Sequence, residues 1–320
     1  MAQVALLSNP MSTGNRAYLP RIRAFCALRS DVFHYEVDEV GQINEALQSI
    51  ARVKPRLLVI NGGDGTVQAA LTALHNGRAF GDTPPPVAVL PNGKTNLIAH
   101  DLGSHGDPVA ALERALELAA QDFNSYLVRR ELIALSADGQ QPVLGMFLGG
   151  AGLADAMLYC RHRIYPLGLP NGVSHFLATL ASLISVAIGL KAWFLPAAPN
   201  PVRLRVRGGS GREGRYAILI VTTLEKMLLG TRAETKVRGL KLMLVERSLG
   251  AIIRAFMTGI LGRGRPEAAR RGVHLEQNDE IEIESDESAV LLDGELFSAR
   301  RGRPITLRST APMPFLRLAA

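Results

Sequence analysis

Apolar residues in the first third of the chain alternate between short unbroken runs and helix-spaced positions. The run 57–60 is typical of a strand buried on both faces, and the apolar positions of 65–75 recur at helical spacing. A glycine turn separates the two. The same order recurs along this part of the chain. The predicted strands are 4–7, 32–37, 57–60 and 87–90, and the predicted helices end near Leu28 or cover 43–50, 65–75 and 109–119.

This alternation predicts an α/β domain with a doubly wound parallel sheet. Three polar turns, 8–15, 61–66 and 91–96, follow predicted strands. In such sheets ligands bind beyond the carboxyl ends of the strands, so we expect the three turns to form one site.

The pattern changes near Asn124, because most later stretches are strand-like. Residues 280–284 alternate strictly between acidic and apolar, as a half-buried strand does. We therefore predict a second, antiparallel β domain, interrupted by helices at about 173–190 and 248–261. Further strand-like stretches are 125–137, 142–149, 201–207, 214–222, 239–245, 272–276, 289–292 and 295–299.

The segment 176–190 is apolar almost all round but shorter than the ~20 residues that span a bilayer. It is either a buried core helix or a wall that receives acyl chains or dips into a membrane. Trp193 and Phe194, beside Lys191, would suit an interfacial anchor in the second case.

The net charge of the chain restricts the classes of molecule that it is expected to bind. The formal net charge is +7, carried mostly by arginine, which favours an anionic partner such as a nucleotide or an anionic membrane surface. Nucleic acid is disfavoured, because aromatic residues make up only 5% and no basic recognition helix is visible. Cys26 and Cys160 lack metal-ligand spacing and indicate a reducing compartment. The N-terminus does not resemble a signal peptide, so the expected location is cytoplasmic.

The turn after the strand 57–60 reads Gly62-Gly63-Asp64-Gly65-Thr66. Glycines let backbone N–H groups approach a ligand, and a helix N-terminus suits phosphate. Asp64 would repel a bare phosphate, which makes sense if Mg²⁺ or ordered water lies between them. The alternative is an ordinary strand–helix turn that needs glycine for geometry alone. Neither a Walker A loop nor a dinucleotide fingerprint fits, because Ala88 and Gln68 replace required glycines.

Two acidic features remain. Asp293-Gly294-Glu295 lies between strand-like runs and by local sequence favours a tight hairpin turn. Its functional alternative is a carboxylate that accepts the proton of a substrate hydroxyl. Asp155 follows a glycine-rich segment and is either an acid in the first turn of a helix or a carboxylate that holds a polar head group.

Together these motifs resemble the diacylglycerol, sphingosine and ceramide kinase family over nearly the whole chain. Ser8-Asn9-Pro10 with Gly14 is similar to the first nucleotide loop of the family, and 62–66 to its GGDGT signature. Residues 91–96 are similar to the loop P-x-G-T-x-N, and 293–295 to the C-terminal acidic motif.

The resemblance implies an α/β ATP-binding domain at 1–123 and a lipid-binding β-sandwich at 124–304. Residues after about 305 would return to the first domain, and the site would lie in the cleft. Implied cofactors are ATP and Mg²⁺, with Asp64 as a candidate metal contact. Glu295 or Asp293 would be the general base, with Glu295 favoured. The implied ATP-site residues are Asn9, Pro10, Gly14, Gly62, Gly63, Asp64, Gly65, Thr66, Lys94, Thr95 and Asn96.

Two departures from diacylglycerol kinases stand out. Lys94 occupies a loop position where they tend to carry threonine, and it would bring positive charge to a phosphate. The segment 236–241 is basic where bacterial diacylglycerol kinases carry an acidic Mg²⁺ cluster, which argues against that metal site. The segment around Asp155 resembles the sphingosine kinase stretch whose aspartate grips the head group. These features favour a sphingoid lipid, ceramide before sphingosine.

The expected protein is therefore a lipid kinase on the inner face of the membrane, associated peripherally. Three alternatives stay open: a diacylglycerol kinase, a small-molecule kinase similar to NAD kinase, and a non-catalytic lipid-binding protein. The oligomeric state is undetermined from the sequence, with a homodimer left open.

Overall fold

The computed structural model describes residues 3–81, 83–93, 95–137, 139–164, 200–206, 211–225, 239–261, 272–286 and 288–319. Contacts divide the chain into two compact units. The first unit comprises 1–132, 141–145 and 310–320, and the second comprises 133–140 and 146–309. Lys94, the predicted helix 173–190, the anchor residues Trp193 and Phe194, and the basic positions 236–238 lie outside the described residues.

The first unit is an α/β fold around one six-stranded sheet. Its strands are β1 (Val4–Ser8), β2 (Val32–Glu36), β3 (Leu57–Asn61), β4 (Val87–Val89), β5 (Leu127–Arg130) and β18 (Met313–Leu316), in the order β2-β1-β3-β4-β18-β5. Strands β2, β1, β3 and β4 run parallel, β18 is parallel to β4, and β5 is antiparallel to β18. Its helices are α1 (Asn15–Ala27), α2 (Ile43–Arg52), α3 (Asp64–Asn76), α4 (Leu97–Asp101) and α5 (Pro108–Ala119).

The central strands of this sheet are buried on both faces. All five residues of β1 and of β3 are buried, as their unbroken apolar runs predict. One face, which includes Leu6 and Val59, packs with α1 and α5 in a cluster that also contains Leu316. A short strand, β7 (Val143–Gly145), packs on α3, where the backbone N–H of Leu144 donates to Thr72 Oγ1 at 2.9 Å.

The second unit contains two antiparallel sheets. One has the order β10-β9-β14-β17-β6 and the other the order β13-β12-β11-β8-β15-β16. The strands of the first are β6 (Ile133–Ala137), β9 (Val202–Val206), β10 (Arg212–Gly214), β14 (Glu280–Ser285) and β17 (Ile305–Ser309). Those of the second are β8 (Phe147–Gly150), β11 (Tyr216–Thr222), β12 (Leu240–Glu246), β13 (Val273–Asn278), β15 (Ser288–Leu292) and β16 (Glu295–Ala299).

Two helices, α6 (Gly152–Tyr159) and α7 (Leu249–Leu261), pack on one face of the second sheet. Helix α6 contacts β8, β11 and β15, and α7 contacts β12 and β13. The strand pairing shows that the two helices lie on the same face. Ile220 is paired with Gly149, which lies under α6, and also with Met243, which packs near α7. In an antiparallel pair, residues opposite each other point to the same side.

The predicted fold class, an α/β domain followed by antiparallel β structure, is confirmed. The strand-like stretch 125–137 is broken, since β5 joins the first sheet through β18 while β6 pairs with β17 in the second unit. Strands β17 and β18 were not predicted. Among the helices of the described residues, none combines the length and apolar character that crossing a bilayer requires.

Candidate active site

The three predicted turns follow β1, β3 and β4, at the carboxyl ends of adjacent parallel strands. The strand order runs from β1 outward to β2 on one side and to β3 and β4 on the other, so the sheet changes direction between β1 and β3. Ligands of open α/β sheets bind at this topological switch point. The turns 9–14 and 62–63 flank it directly.

Hydrogen bonds tie the first two turns together. Asn9 Nδ2 donates to Thr66 Oγ1 at 2.9 Å, and the backbone N–H of Gly63 donates to Ser12 Oγ at 3.1 Å. Asn9 Oδ1 also accepts from the backbone N–H of Met11 at 2.9 Å, which shapes the first turn, and Pro10 follows Asn9 within it. Asn9 and Thr66 are buried, so their side chains hold the loops rather than project from them.

Asp64 is the first residue of α3 and reaches across to α4. Its carboxylate accepts hydrogen bonds from the backbone N–H groups of Leu97 and Ile98. Burial is the largest influence and raises the pKa of Asp64, while the two N–H donors lower it. The carboxylate thus caps the start of α4 and joins the second turn to the third.

The glycines of these turns are required for different reasons at different positions. A Cβ on Gly14 would overlap the side chain of Asn92 and lie 2.5 Å from its carbonyl oxygen. A Cβ on Gly62 would lie 2.6 Å from Thr66 Cβ, and one on Gly93 would lie 2.8 Å from Gly63 Cα. These three glycines are therefore required by loop packing, whatever the ligand.

Gly63 is different. Among the described residues, a Cβ there would meet only Gly93 Cα, at an ordinary 3.6 Å, and its φ of −81° suits any residue. Gly63 is also the N-cap of α3 and provides no capping side chain for the first N–H groups of that helix. Packing among the described residues does not explain this glycine, whereas an anion close to the backbone does.

The third turn ends at Asn96, which adopts a left-handed conformation with φ of 53° just before α4. Its Oδ1 accepts from the backbone N–H of Gly93 at 2.6 Å, so the side chain closes the turn on itself. Thr95 is exposed beside it. Lys94, between Gly93 and Thr95, lies outside the described residues.

In the second unit, the predicted acidic motif is a two-residue hairpin between β15 and β16. Asp293 and Gly294 both have positive φ, 47° and 95°, which is the type I′ geometry favoured by Asp-Gly. The Asp293 carboxylate accepts from the backbone N–H groups of Met146 and Phe147, at 3.0 and 2.9 Å. Glu295 is exposed at the start of β16. The hairpin interpretation of Asp293 and Gly294 is confirmed.

Asp155 lies on α6, partly buried. Burial raises the pKa of its carboxyl to about 6, and no charge or hydrogen bond from the described residues contributes to the shift. An acid in the first turn gains from the helix dipole, but here desolvation outweighs that gain. A half-buried carboxylate without a cation beside it among the described residues is suited to receive hydroxyl or amide donors of a ligand.

No group of three or more His, Cys, Asp or Glu side chains within the described ranges is placed to hold a metal ion. A metal bound to nucleotide phosphates needs only one or two protein carboxylates, and Asp64 could supply one.

Comparison with known proteins agrees with this geometry. Residues 3–126 match the diacylglycerol kinase catalytic domain. This part of the chain is therefore similar to that family. A search of curated proteins found no match. The diacylglycerol kinase catalytic domain covers the parallel strands β1 to β4 and all three turns.

Solved structures agree on the fold of the whole chain. A crystal structure of a diacylglycerol kinase from Bacillus anthracis str. Sterne has 17% identity, a TM-score of 0.63, and coverage of 98% of this chain and 96% of that one. A second structure from the same organism, provisionally described as a diacylglycerol kinase, has 17% identity, a TM-score of 0.65, and coverage of 97% and 94%. At this identity the likeness shows the fold alone.

The predicted kinship with diacylglycerol kinases is confirmed, and the match supports a lipid kinase. A kinase domain implies ATP use. Four polar residues of the diacylglycerol kinase catalytic domain were not predicted as part of its site: Ser12, Asn15, Asn61 and Asn92. Each lies in or beside a predicted turn, but polar residues are so common in turns that no sequence pattern distinguished these four.

Proposed function

We propose that the chain transfers the γ-phosphoryl group of ATP to a primary hydroxyl of a membrane lipid, with ceramide or another sphingoid lipid favoured. The observation that carries the nucleotide half is Gly63, whose side-chain position is open at the N-terminus of α3, beside the switch point of the sheet. Bound ATP would supply the phosphoryl group, and Mg²⁺ would neutralise its developing charge.

In this proposal the turns of the first unit bind and orient the triphosphate. The N-terminal turn of α3, with Gly63, Gly65 and Thr66, would face the phosphates, and Asp64 would contact Mg²⁺ while it caps α4. Asn9, Pro10, Gly14 and Asn96 would shape the loops, and Lys94 with Thr95 would add contacts.

Glu295 is the proposed general base. Asp293 already accepts two backbone N–H groups, which hold its carboxylate in the hairpin. Glu295 is exposed and its side chain has no hydrogen bond or ion pair among the described residues, so its carboxylate is free to accept a hydroxyl proton. Its proton acceptance would leave the lipid oxygen ready for in-line attack on the γ-phosphorus.

Asp155 is the proposed ligand of the lipid head group. Its carboxylate could accept hydrogen bonds from the hydroxyls or the amide N–H of a sphingoid lipid. Diacylglycerol has one free hydroxyl and no amide N–H, so it would satisfy this carboxylate less well. This difference is the physical reason to favour ceramide over diacylglycerol.

We also propose peripheral binding to an anionic membrane. The net charge of +7 supports it, and α7 exposes Leu249 and Ile253 by 45% and 51% of their surface. The buried Nε atoms of Arg247 and Arg254, beside and within α7, have no hydrogen-bond partner among the described residues. We expect flotation with phosphatidylglycerol vesicles that weakens at high salt. Flotation that is unchanged between low and high salt would contradict the electrostatic part.

The activity is tested with radiolabelled ATP and a panel of ceramide, sphingosine, diacylglycerol and NAD. We expect label in ceramide or sphingosine. Label chiefly in diacylglycerol would contradict the lipid preference, label in NAD would indicate the small-molecule kinase, and no turnover with intact lipid binding would indicate the non-catalytic protein.

The nucleotide site is tested separately with Gly63→Ala. Because the added methyl group has room and the backbone conformation is ordinary, the variant should keep its stability but lose ATP binding. Gly41→Ala is the matched control, since no described residue lies within 4 Å of its added Cβ and Gly41 belongs to none of the three turns. A Gly63→Ala variant that binds ATP as tightly as the parent would refute the placement of phosphate at this glycine.

A further inference from the structure

Three buried asparagines connect the turns that follow β1, β3 and β4. Asn15 begins α1, Asn61 ends β3 and Asn92 lies in the third turn, and each is at most 1% exposed. Asn92 Nδ2 donates to Asn61 Oδ1 at 2.7 Å and to Asn15 Oδ1. We call these three residues the asparagine cluster.

The asparagine cluster is bonded directly to the turns proposed to bind phosphate. Asn15 Nδ2 donates to the carbonyl oxygens of Asn9 and Asn61, at 2.7 and 3.1 Å. Asn61 Nδ2 donates to Ser8 Oγ at 2.9 Å, and Asn9 in turn donates to Thr66. A chain of bonds therefore runs from the third turn, through the cluster, to the first turn and to the start of α3.

This series of hydrogen bonds requires amide side chains. Asn92 donates both hydrogens of one amide group to two side-chain oxygens, which a carboxylate cannot do and a hydroxyl can do only once. Asn92 Oδ1 is buried without a hydrogen-bond partner among the described residues and lies where a side chain on Gly14 would be. An unpartnered buried oxygen is costly, so its retention indicates that the two donated bonds are worth keeping.

We infer that Asn15, Asn61 and Asn92 are positioning residues for phosphoryl transfer. They hold the three turns at one mutual spacing, so that the backbone around Gly63 is in place before ATP arrives. This inference rests on the proposed function, because it assigns the cluster to the ATP site. Preorganised donors lower the cost of binding, and misplacement of a loop loses affinity without removing any ligand contact.

The decisive variant is Asn92→Asp. It keeps the size of the side chain but replaces the donor nitrogen with oxygen. The variant therefore cannot donate hydrogen bonds to Asn15 Oδ1 and Asn61 Oδ1. We expect KM for ATP to rise at least tenfold and KM for the lipid to stay within twofold. Direct titration with the ATP analogue AMP-PNP should show the same loss of affinity as KM.

Asn76→Ala is the matched control. Asn76 lies at the other end of α3 and donates to the carbonyl oxygen of Pro142 at 2.9 Å. Its loss should lower stability while KM for ATP stays unchanged. An Asn92→Asp variant that is folded, with KM for ATP within twofold of the parent, would overturn the inference.

Asn15→Asp provides a second route if Asn92→Asp does not fold. It keeps the acceptor used by Asn92 but loses the donor to Asn9 and Asn61, and it should raise KM for ATP in the same way. If both variants fail to fold, the cluster serves folding alone and the inference is overturned. A parent chain that binds no ATP would overturn the proposed function itself, which distinguishes the two failures.

Discussion

Replacement of Asp155 by asparagine should stabilise the protein at neutral pH. The pKa of this carboxyl is raised from 3.8 to about 6 by burial alone, so the folded chain resists its ionisation. Asparagine has nearly the same shape and carries no charge. The variant therefore removes the cost of burying a carboxylate while it leaves the packing of α6 unchanged.

The sign and size of this change in the free energy of unfolding follow from proton linkage. Between pH 3.8 and about 6 the folded chain keeps a proton that the unfolded chain releases, so stability falls as pH rises through this window. A shift of roughly two pKa units corresponds to at most about 3 kcal/mol. Because water still reaches part of the side chain, we expect about 1–2 kcal/mol at pH 7.5 and almost none at pH 4.

Urea titrations of parent and Asp155→Asn at pH 4, 5 and 7.5, at constant ionic strength, measure this difference. Asp286→Asn, an exposed carboxylate of the same unit, is the control and should change stability little at any pH. A gain for Asp155→Asn that is equal at pH 4 and pH 7.5 would refute the linkage argument, as would a loss at pH 7.5. The stabilised variant should also bind ceramide more weakly, because it loses the carboxylate that we propose to hold the lipid head group.

Other expected outcomes concern the turns and the hairpin. Glu295→Gln should reduce lipid phosphorylation at least 100-fold with unchanged stability, as expected for a lost general base, and a wild-type rate would remove Glu295 from that role. Asp293→Asn should instead lower stability by about 1–3 kcal/mol, since it weakens the bonds to Met146 and Phe147, and unfolding titrations that show no change would contradict the structural role. Asp64→Ala should abolish transfer and lower stability by about 1 kcal/mol through loss of the α4 cap, whereas Asp38→Ala, at an exposed site, should do neither. Gly14→Ala should lower the urea midpoint because its methyl group overlaps Asn92, and a midpoint equal to that of Gly41→Ala would refute the packing argument.

Local pattern was sufficient for the parallel sheet. The run 57–60 and its glycine turn are adjacent in sequence, and both predicted what the structure contains, since β3 ends at Asn61 and α3 begins at Asp64. The Asp293-Gly294 turn was equally predictable from the local sequence, because the φ values of a type I′ turn are set by those two residues. Strand β18 could not be predicted from the local sequence, because its place between β4 and β5 depends on partners far away in the chain.

The sequence by itself determined the alternation of strands and helices, the three polar turns and the kinship with lipid kinases, because each is carried by neighbouring residues. Only the tertiary structure decided what individual residues in those turns do. Gly14 and Gly62 serve packing while Gly63 stays open, Asp64 caps α4, and Asn92 joins Asn15 and Asn61. Apart from the contact of Gly62 with Thr66, these roles depend on distances between segments 30 or more residues apart, which the spacing of residues along the chain does not contain.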